Sequence, residues 1–285
     1  MNLRRLVLRG ATHASPIFND TLRYFFRYKR LPDRENPKTF SEKLIVLKET
    51  AYSENELIVQ CSDKLRVRDF VLNCGCGGYL NELYAYYDLG ALVDWDTLPN
   101  QFVMKLNTGA GYNFICSDKL KQLGEAKARA ASWKSYDHTW LDSAEMHYEQ
   151  IRPALLFEKY LNIHHGGPED YKVYCFNGTP QAILVMAGRS EGANAYFMSP
   201  QWKYLGVPEQ YRKRKFNVAE KPSCLDEMLA VSERLSSAFP FVRVDFYIVD
   251  SRPVFGELTF TPSSGVGASE INVNGNTMGD LLVLP

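Results

Sequence analysis

Apolar and polar residues alternate over seven short stretches of the chain, which indicates β-strands with one buried face. The predicted strands are 102–106, 113–116, 155–158, 172–176, 182–186, 241–249 and 254–260. Apolar residues recur at helical spacing near 118–133, 142–151 and 224–238. Because several of these strands follow one another with no helix between them, the pattern predicts an α+β fold with hairpins rather than regular βαβ alternation.

Helical spacing also dominates the first sixty residues of the chain. Thr39, followed three residues later by Glu42, predicts a capping box at the start of one helix. A further helix is expected from about residue 63 to 73, and Gly75 is a natural end for it.

Residues 23–30, RYFFRYKR, interleave basic and aromatic side chains. Such a segment could contact a membrane surface or an anionic polymer. The alternative, which we favour, is a helix that buries Tyr24, Phe25 and Tyr28 and leaves its basic residues in water. Residues 1–30 contain seven Lys/Arg and one Asp, a net charge of +6, which leaves −6 for the rest of this neutral chain.

The composition is that of an ordinary globular protein, with 45% apolar and 23% charged residues among 285. It excludes a disordered chain, and the zero net charge argues against a general nucleic-acid partner. The sequence contains no apolar run of about 18 residues, so we expect no transmembrane helix. Its basic start is not typical of a signal peptide. Six sparsely spaced cysteines favour a reducing cytoplasm over a secreted disulfide framework.

An acidic hairpin is predicted over residues 241–262, where Arg243, Asp245 and Tyr247 share one face. A three-residue loop at 250–252 would pair 249 with 253, 247 with 255, 245 with 257, and 243 with 259. Asp245 would then face Glu257 at about 5 Å between Cβ atoms, where like charges repel. Either a bound Mg²⁺ or an ion pair with Arg243 would neutralise them, and the hairpin alone does not choose between the two.

A second hairpin, over residues 98–116, joins a basic residue to glycines. Lys105 ends its first strand, and Thr108-Gly109-Ala110-Gly111 follows. Glycines allow successive N–H groups to turn inward and form an anion-binding nest, which beside a lysine suits a nucleotide phosphate. A plain hairpin turn is the alternative.

The order of several motifs resembles one known family. The motifs are TFSEKL (39–44), DK (63–64), FVMKLNTGAG (102–111), LLFEKYL (155–161), DYKVYCFNG (170–178), RVDFY (243–247), FGELTF (255–260) and PSSG (262–265). Over residues 37–285 they resemble the TupA-like branch of the ATP-grasp proteins, found in bacterial surface-polysaccharide gene sets. The resemblance implies two α+β lobes that close over a nucleotide. We therefore expect a helical segment at 1–60, a first lobe at 61–157 and a second lobe at 158–285.

The resemblance implies a set of nucleotide-binding residues. Lys64 and Lys105 match the lysines that reach the phosphates of ATP, and Gly109 and Gly111 match the mobile loop over them. The hinge residues that would meet the adenine are Glu158, Lys159, Tyr160 and Leu161. Asp170 and Lys172 match an element near the ribose and phosphates.

The resemblance also implies catalytic and metal-binding residues. Asp245 and Glu257 match the acidic ligands of Mg²⁺, in agreement with the hairpin. Thr259 stands where many ATP-grasp enzymes have an Asn ligand, and a hydroxyl binds a metal more weakly. Arg189 and Arg243 match basic residues near the transferred phosphoryl group and would hold the carboxylate substrate.

The activity implied by the resemblance is that of an ATP-dependent carboxylate–amine ligase, which forms an amide and ADP through an acyl phosphate. In the family's context, the carboxylate would be a uronic acid of a polysaccharide or its sugar-nucleotide precursor. The amine would be an amino acid or another small amine. The expected location is the bacterial cytoplasm, with peripheral membrane contact through the basic N-terminus as an open possibility.

Three alternatives remain open from the sequence. Asp94-Trp95-Asp96 is a D-x-D element of the kind that holds a metal in some glycosyltransferases, although we favour helix capping or loop solvation as its role. A non-catalytic nucleotide-binding module would account for Thr259. Phosphotransfer to a hydroxyl could use the same site as the ligase.

Overall fold

Two antiparallel sheets, each with its own hydrophobic core, organise the chain. The structure, a computed structural model, describes residues 3–161, 168–187, 194–211 and 218–285. Within these ranges, none of the helices has the length and hydropathy needed to cross a bilayer.

Short helices surround the sheets and precede them in the chain. The described helices are α1 (Leu3–Ala14), α2 (Pro16–Tyr28), α3 (Phe40–Glu49), α4 (Glu56–Ser62), α5 (Val67–Asn73), α6 (Lys119–Ser132), α7 (Trp140–Ser143), α8 (Leu225–Ser236) and α9 (Met278–Leu281). The predicted capping box of α3 is confirmed, because Thr39 accepts from the N–H of Glu42 and the Glu42 side chain accepts from the N–H of Thr39.

The smaller sheet carries the glycine-bearing hairpin. Its strands are β1 (Leu83–Asp88), β2 (Phe102–Leu106), β3 (Asn113–Cys116) and β4 (Ala154–Lys159), in the order β1-β4-β2-β3. Phe102, Met104 and Phe157 form its core against helix α6 and Trp133. Strand β3 is therefore an edge strand of this sheet, and β2 is paired on both sides, with β3 and with β4.

The larger sheet carries the acidic hairpin. Its strands are β5 (Pro168–Phe176), β6 (Thr179–Ala187), β7 (Asn194–Met198), β8 (Tyr204–Gly206), β9 (Phe241–Val249) and β10 (Arg252–Thr259), in the order β10-β9-β5-β6-β7-β8. Helix α8 packs on β9, β5 and β6. A small ladder of β11 (Asn272–Val273) and β12 (Asn276–Thr277) follows.

Most predicted elements are confirmed, and five of the described strands (β1, β7, β8, β11 and β12) were not predicted. The helix expected over 142–151 is wrong. Helix α7 ends at Ser143, Ala144 adopts a left-handed φ of 52°, and only a short 3₁₀ turn, Met146–Tyr148, follows. A left-handed residue cannot continue a right-handed helix, so the chain turns there.

The core of the larger sheet extends into helices that precede the smaller sheet. Cys61, Val67 and Val71 of helices α4 and α5 pack in this core. Strand β4 belongs to the smaller sheet throughout its length. The predicted lobe boundaries at residues 61 and 158 stay predictions.

Helix α2 presents more apolar surface than the sequence indicated. Tyr24 is fully buried, as expected, and Tyr28 is half-buried, but Phe25 is 44% exposed, so its expected burial is wrong. The buried face of α2 consists of Asn19, Asp20 and Tyr24. One residue is a rotation of about 100° along a helix, which carries Phe25 away from that face.

The turn of the acidic hairpin differs from the predicted one. Asp250 and Ser251, with φ of 49° and 59°, form a two-residue turn typical of type I′. Val249 consequently pairs with Arg252, so the predicted pairings of 249 with 253 and of 247 with 255 are wrong.

The predicted register is nevertheless reached at the site itself. A register shift between Phe255 and Glu257 inserts Gly256 into β10 as a bulge. Beyond it, Asp245 lies opposite Glu257, as predicted. A Cβ on Gly256 would lie 3.1 Å from the carbonyl oxygen of Asp245, so the close approach at the bulge favours glycine.

Candidate active site

A cavity of about 440 Å³ lies between the two sheets. The glycine-bearing hairpin forms one wall, and the exposed face of β5, β9 and β10 forms another. The predicted site residues that line it are Lys64, Lys105, Gly109, Gly111, Asp170, Lys172, Arg243, Asp245, Glu257 and Thr259. Residues from three distant parts of the sequence thus meet in one place.

Asp245 is the most tightly held carboxylate of this cavity. Arg243 donates to both of its oxygens, from Nε at 2.6 Å and from Nη2 at 2.7 Å. Lys172, one strand away on β5, donates to it as well. Strand register produces this arrangement, because Lys172 lies directly opposite Asp245 across the β5–β9 pairing.

The electrostatics keep this group ionised. Burial alone would raise the pKa of Asp245, but Arg243 and Lys172 outweigh burial and hold the pKa below its ordinary value. Burial would lower the pKa of Arg243, and the contact with Asp245 raises it instead. The pair therefore stays charged throughout the physiological pH range.

The second predicted metal ligand, Glu257, is more accessible. Its side chain is 39% exposed, and its carboxylate lies 3.7 Å from Lys64 and 3.9 Å from Arg243. Thr259 accepts a hydrogen bond of 3.0 Å from Arg243. Of the two ways to neutralise the facing carboxylates that the sequence left open, the structure contains the ion pair of Arg243 with Asp245.

These residues fit Mg²⁺ only in company with phosphate. In the described part of the chain no group of three His, Cys, Asp or Glu side chains forms a closed metal cage. Mg²⁺ commonly takes one or two carboxylates and completes its shell with phosphate oxygens and water. Glu257 can supply one ligand directly, and Asp245 a second once a neighbouring cation turns toward phosphate.

The cations expected to meet the phosphates now contact carboxylates or backbone. Lys64 donates to the carbonyl oxygen of Gly109 at 3.0 Å, and Lys105 donates to Glu158 at 2.8 Å. Gly109 and Gly111 have positive φ of 73° and 85°, which gives the turn the backbone shape of an anion nest. Both lysines thus stand beside a turn that suits phosphate oxygens.

The predicted adenine-binding residues lie outside the lining of this cavity. Glu158 contacts Lys105, and the N–H of Lys159 donates to the carbonyl of Glu82 at 2.9 Å. Asn81 donates to the carbonyl of Lys159 at 2.9 Å. Lys159 therefore offers only a second lone pair of its carbonyl, and Tyr160 and Leu161 follow at the end of the described segment.

Two other sequence predictions concern residues away from the cavity lining. Arg189 lies outside the described residues, so its role stays a prediction. Asp94 and Asp96 are exposed in the loop between β1 and β2, where Asp94 accepts from the N–H of Asp96, and neither lines the cavity. This position matches the loop-solvation interpretation of the D-x-D element.

Sequence reasoning missed one end of the cavity. Its lining residues there are Trp140, Ser143, Glu145, Tyr148, Thr261 and Ser263. Thr261 donates to Glu145, 116 positions away, so no local pattern signals the contact. The PSSG motif was noticed only as part of a resemblance, and its Ser263 and Ser264 have left-handed φ of 53° and 54°.

Comparison with solved structures finds three proteins of partly similar fold. D-alanine–D-alanine ligase from Bacillus anthracis is 18% identical, with a TM-score of 0.46, over 74% of this chain and 61% of that one. The Helicobacter pylori D-alanine–D-alanine ligase is 15% identical, with a TM-score of 0.40, over 79% and 63%. N5-carboxyaminoimidazole synthase from Aspergillus clavatus, in complex with ADP, is 11% identical, with a TM-score of 0.42, over 72% and 45%.

The chain spans about three fifths of the length of the two D-alanine–D-alanine ligases. No curated protein matches its sequence significantly. The family described as TupA-like ATPgrasp matches residues 45–283, which include both sheets and every described residue of the cavity. The chain therefore belongs to the TupA-like ATP-grasp family.

Proposed function

We propose that the protein is an ATP-dependent carboxylate–amine ligase that works through an acyl phosphate. One observation carries the proposal: the Lys105–glycine hairpin of the smaller sheet faces Arg243, Asp245 and Glu257 of the larger sheet across a single cavity. Phosphate-binding and metal-binding groups are thus on opposite walls. Such an arrangement suits a nucleotide triphosphate held between two lobes.

The residues would act by positioning and by charge neutralisation. Lys64, Lys105 and Lys172 would turn from their carboxylate partners to phosphate oxygens, and the N–H groups near Gly109 and Gly111 would bind further oxygens. Glu257 and Asp245 would hold Mg²⁺. When bound, this ion would neutralise negative charge on the phosphates.

The proposed reaction has two steps. A carboxylate oxygen attacks the γ-phosphorus, the bond to the β-phosphate oxygen breaks, and an acyl phosphate and ADP result. An amine nitrogen then attacks the acyl carbon, phosphate leaves, and the amine gives up a proton. Arg243, whose Nη2 faces the cavity beside Thr259, would hold the carboxylate and the oxygen that becomes negative.

For the substrates we propose a uronic acid, on a polysaccharide or on its sugar-nucleotide precursor, and an amino acid or small amine. The family resemblance supports the sugar-linked carboxylate. The cavity supports it through aromatic side chains in its walls, since sugar rings stack on such surfaces. These are Tyr112, Trp140, Tyr148 and Tyr247.

Nucleotide binding is tested by thermal shift and turnover by ADP release. We expect Mg-ATP and Mg-ADP, but not Mg-UTP, to raise the melting temperature. Lys105→Ala and Glu257→Gln should lose that rise. The control variants Lys121→Ala and Glu125→Gln change exposed residues of helix α6 and should keep it.

The products separate the remaining alternatives. ADP release with an amide product supports the ligase, whereas a stable phosphate ester indicates phosphotransfer to a hydroxyl. Nucleotide binding with no turnover over a panel of uronic acids and amines would indicate a non-catalytic module. Equal stabilisation by uridine and adenine nucleotides would overturn the proposed nucleotide site.

A further inference from the structure

The missed end of the cavity contains a carboxylate with unusual surroundings. Glu145 accepts hydrogen bonds from the hydroxyls of Ser143, at 2.6 Å, and of Thr261. Among the described residues no Lys, Arg or His forms an ion pair with it. The buried Lys48 is near enough for its charge to act on Glu145, but its ammonium group contacts Asp20 at 2.5 Å.

The hydrogen bonds to Glu145 come from neutral groups. Burial would raise its pKa, but the charges of His147 and Lys48 and the two hydroxyl donors outweigh burial and lower the pKa. Its two described side-chain hydrogen bonds come from hydroxyls, so no cation among the described residues contacts this carboxylate directly. A carboxylate in a cavity wall without a direct cationic partner attracts a cation.

Two aromatic side chains line the same cavity as this carboxylate. They are Trp140 and Tyr148, close to Glu145 in the sequence, and an aromatic face adds attraction for an ammonium group. Tyr148 also joins this end to the reaction centre. Burial and then the charges of Glu145 and Glu257 raise its pKa, so its hydroxyl lies within electrostatic reach of both carboxylates.

The N-terminal helices support the walls of this end. Lys48 of α3 donates to the carbonyl of Ser143 at 2.8 Å and to that of Ser264 at 3.3 Å. Arg23 of α2 donates to the same two carbonyls at 3.1 Å. Helices α2 and α3 therefore hold the backbone at Ser143, two residues before Glu145, and at Ser264, three residues after Thr261.

We propose that Glu145, with Trp140 and Tyr148, binds the ammonium group of the amine substrate. This inference rests on the proposed ligase activity and assigns its acceptor as an amine that is cationic in solution. The ammonium loses a proton before attack, and the carboxylate holds the nitrogen until then.

Ligand-observed NMR tests the site with propylammonium as the cationic probe and n-butanol as its neutral counterpart. With Mg-ADP present, the wild type should give a saturation-transfer signal for propylammonium and not for n-butanol. Glu145→Gln should reduce that signal at least fivefold, and Trp140→Leu should reduce it as well. The control Glu149→Gln alters an exposed carboxylate four residues further along and should leave the signal unchanged.

Thermal shift by Mg-ATP separates the two proposals. A normal shift in Glu145→Gln with loss of the propylammonium signal supports the ammonium site. A normal shift with an unchanged signal overturns that site and leaves the nucleotide proposal standing. Loss of the Mg-ATP shift in the wild type overturns the ligase, and absence of a propylammonium signal in the wild type overturns the ammonium site.

A second and independent observation concerns the surface of helices α1 and α2. These two helices expose a set of large apolar side chains that spans both of them, between 44% and 75% accessible. The set is Leu3, Leu6, Val7, Ile17, Phe18, Phe25, Phe26 and, just after α2, Leu31. Many exposed apolar side chains on two neighbouring helices are typical of an interaction surface.

The charged residues of helices α1 and α2 are mostly basic, although Arg5, Arg9 and Arg27 form ion pairs with Asp137, Asp142 and Glu209. Between residues 3 and 31 the only acidic residue is Asp20, which is fully buried against Lys48. Arg27 and Arg30 keep half of their side chains exposed, at 53% and 49%, even though each forms an ion pair. Lys29 is exposed as well. Apolar side chains rimmed by cations match an anionic bilayer surface.

We infer that this apolar face docks on anionic membrane. Co-sedimentation with phosphatidylglycerol/phosphatidylcholine vesicles should recover the wild type, and pure phosphatidylcholine vesicles should recover far less. The triple variant Phe18→Ser/Phe25→Ser/Phe26→Ser should lose at least tenfold in vesicle affinity. The control Leu92→Ser/Leu120→Ser changes side chains that are 96% and 91% exposed elsewhere and should bind normally.

Light scattering completes this test. A monomer whose vesicle binding depends on the three phenylalanines supports membrane docking. A dimer that the triple variant disrupts would assign the apolar face to a second copy of the chain and overturn the inference. Failure of the wild type to bind anionic vesicles would overturn it too.

Discussion

At the residue scale, each cation of the cavity contacts an acid or a carbonyl. Arg243 and Lys172 contact Asp245, Lys105 contacts Glu158, and Lys64 contacts a backbone carbonyl. A nucleotide must therefore exchange these partners, and binding becomes a replacement of carboxylate oxygens by phosphate oxygens.

Glu42 provides a prediction at this scale. Burial would raise its pKa, but Arg30 and the N–H groups of Thr39, Asp33 and Lys38 outweigh burial and lower the pKa to about 2. A carboxylate with a depressed folded pKa stabilises the protein above its unfolded pKa. That stability is lost as the pH falls from about 4.5 toward 2.

Glu42→Gln should therefore lower the free energy of unfolding by about 2 kcal/mol at pH 7. Urea titrations at a series of pH values measure the difference between variant and wild type, which should shrink as the pH falls below about 4.5. A difference that stays constant down to pH 3 would contradict the assigned role of Glu42.

At the element scale, alternation predicted β9 with its observed bounds, and side-chain period placed Asp245 and Glu257 on one face. The bulge at Gly256 was not predicted. The pairing of Asp245 with Glu257 was still correct because two errors cancelled: the predicted turn was one residue too long, and the extra residue in β10 was missing. A glycine within a strand does signal a bulge. The predicted helix over 142–151 failed for a different reason, since Ala144 adopts a left-handed φ that an alanine does not signal.

The turn itself can be improved. Asp250 and Ser251 both adopt left-handed φ, which Asn-Gly adopts at lower cost. Asp250→Asn/Ser251→Gly should raise the free energy of unfolding by about 1 kcal/mol without changing ADP release. Thermal denaturation measures the gain, and Ser251→Pro, which forces a negative φ, should lower the melting temperature instead.

At the scale of the whole molecule, the sequence motifs predicted ten residues of the cavity, but not the end of it that contains Glu145. Thr261 reaches Glu145 through a contact that spans 116 positions. Short-range periodicity carries no information about such contacts. The helices before the lobes could be predicted as helices, yet their role in bracing Ser143 and Ser264 became visible only in three dimensions.

Helix α1 is held to the body mainly by charge. Arg5 and Arg9 both contact Asp142, at 2.5 and 2.6 Å, and both contact Asp137. Asp142→Asn should loosen α1 and accelerate tryptic cleavage after Arg4, Arg5 and Arg9 about tenfold, because opening by 1.4 kcal/mol is a tenfold change.

Gel electrophoresis of a digestion time course measures this cleavage. Asp88→Asn is the matched control, since it removes an exposed ion pair with Arg152 at 2.8 Å and should leave α1 protected. Identical cleavage rates in the two variants would show that apolar packing, not the arginines, retains the helix.

The position of β9 within its sheet has a wider consequence. Hydrogen-bonded neighbours on both sides hold the backbone of Arg243 and Asp245, whereas Gly109 and Gly111 occupy a turn at the edge of the other sheet. One wall is stiff and the other compliant. Substitutions along the strand should alter which chemical group can react, and substitutions in the turn should alter how fast nucleotide enters and departs.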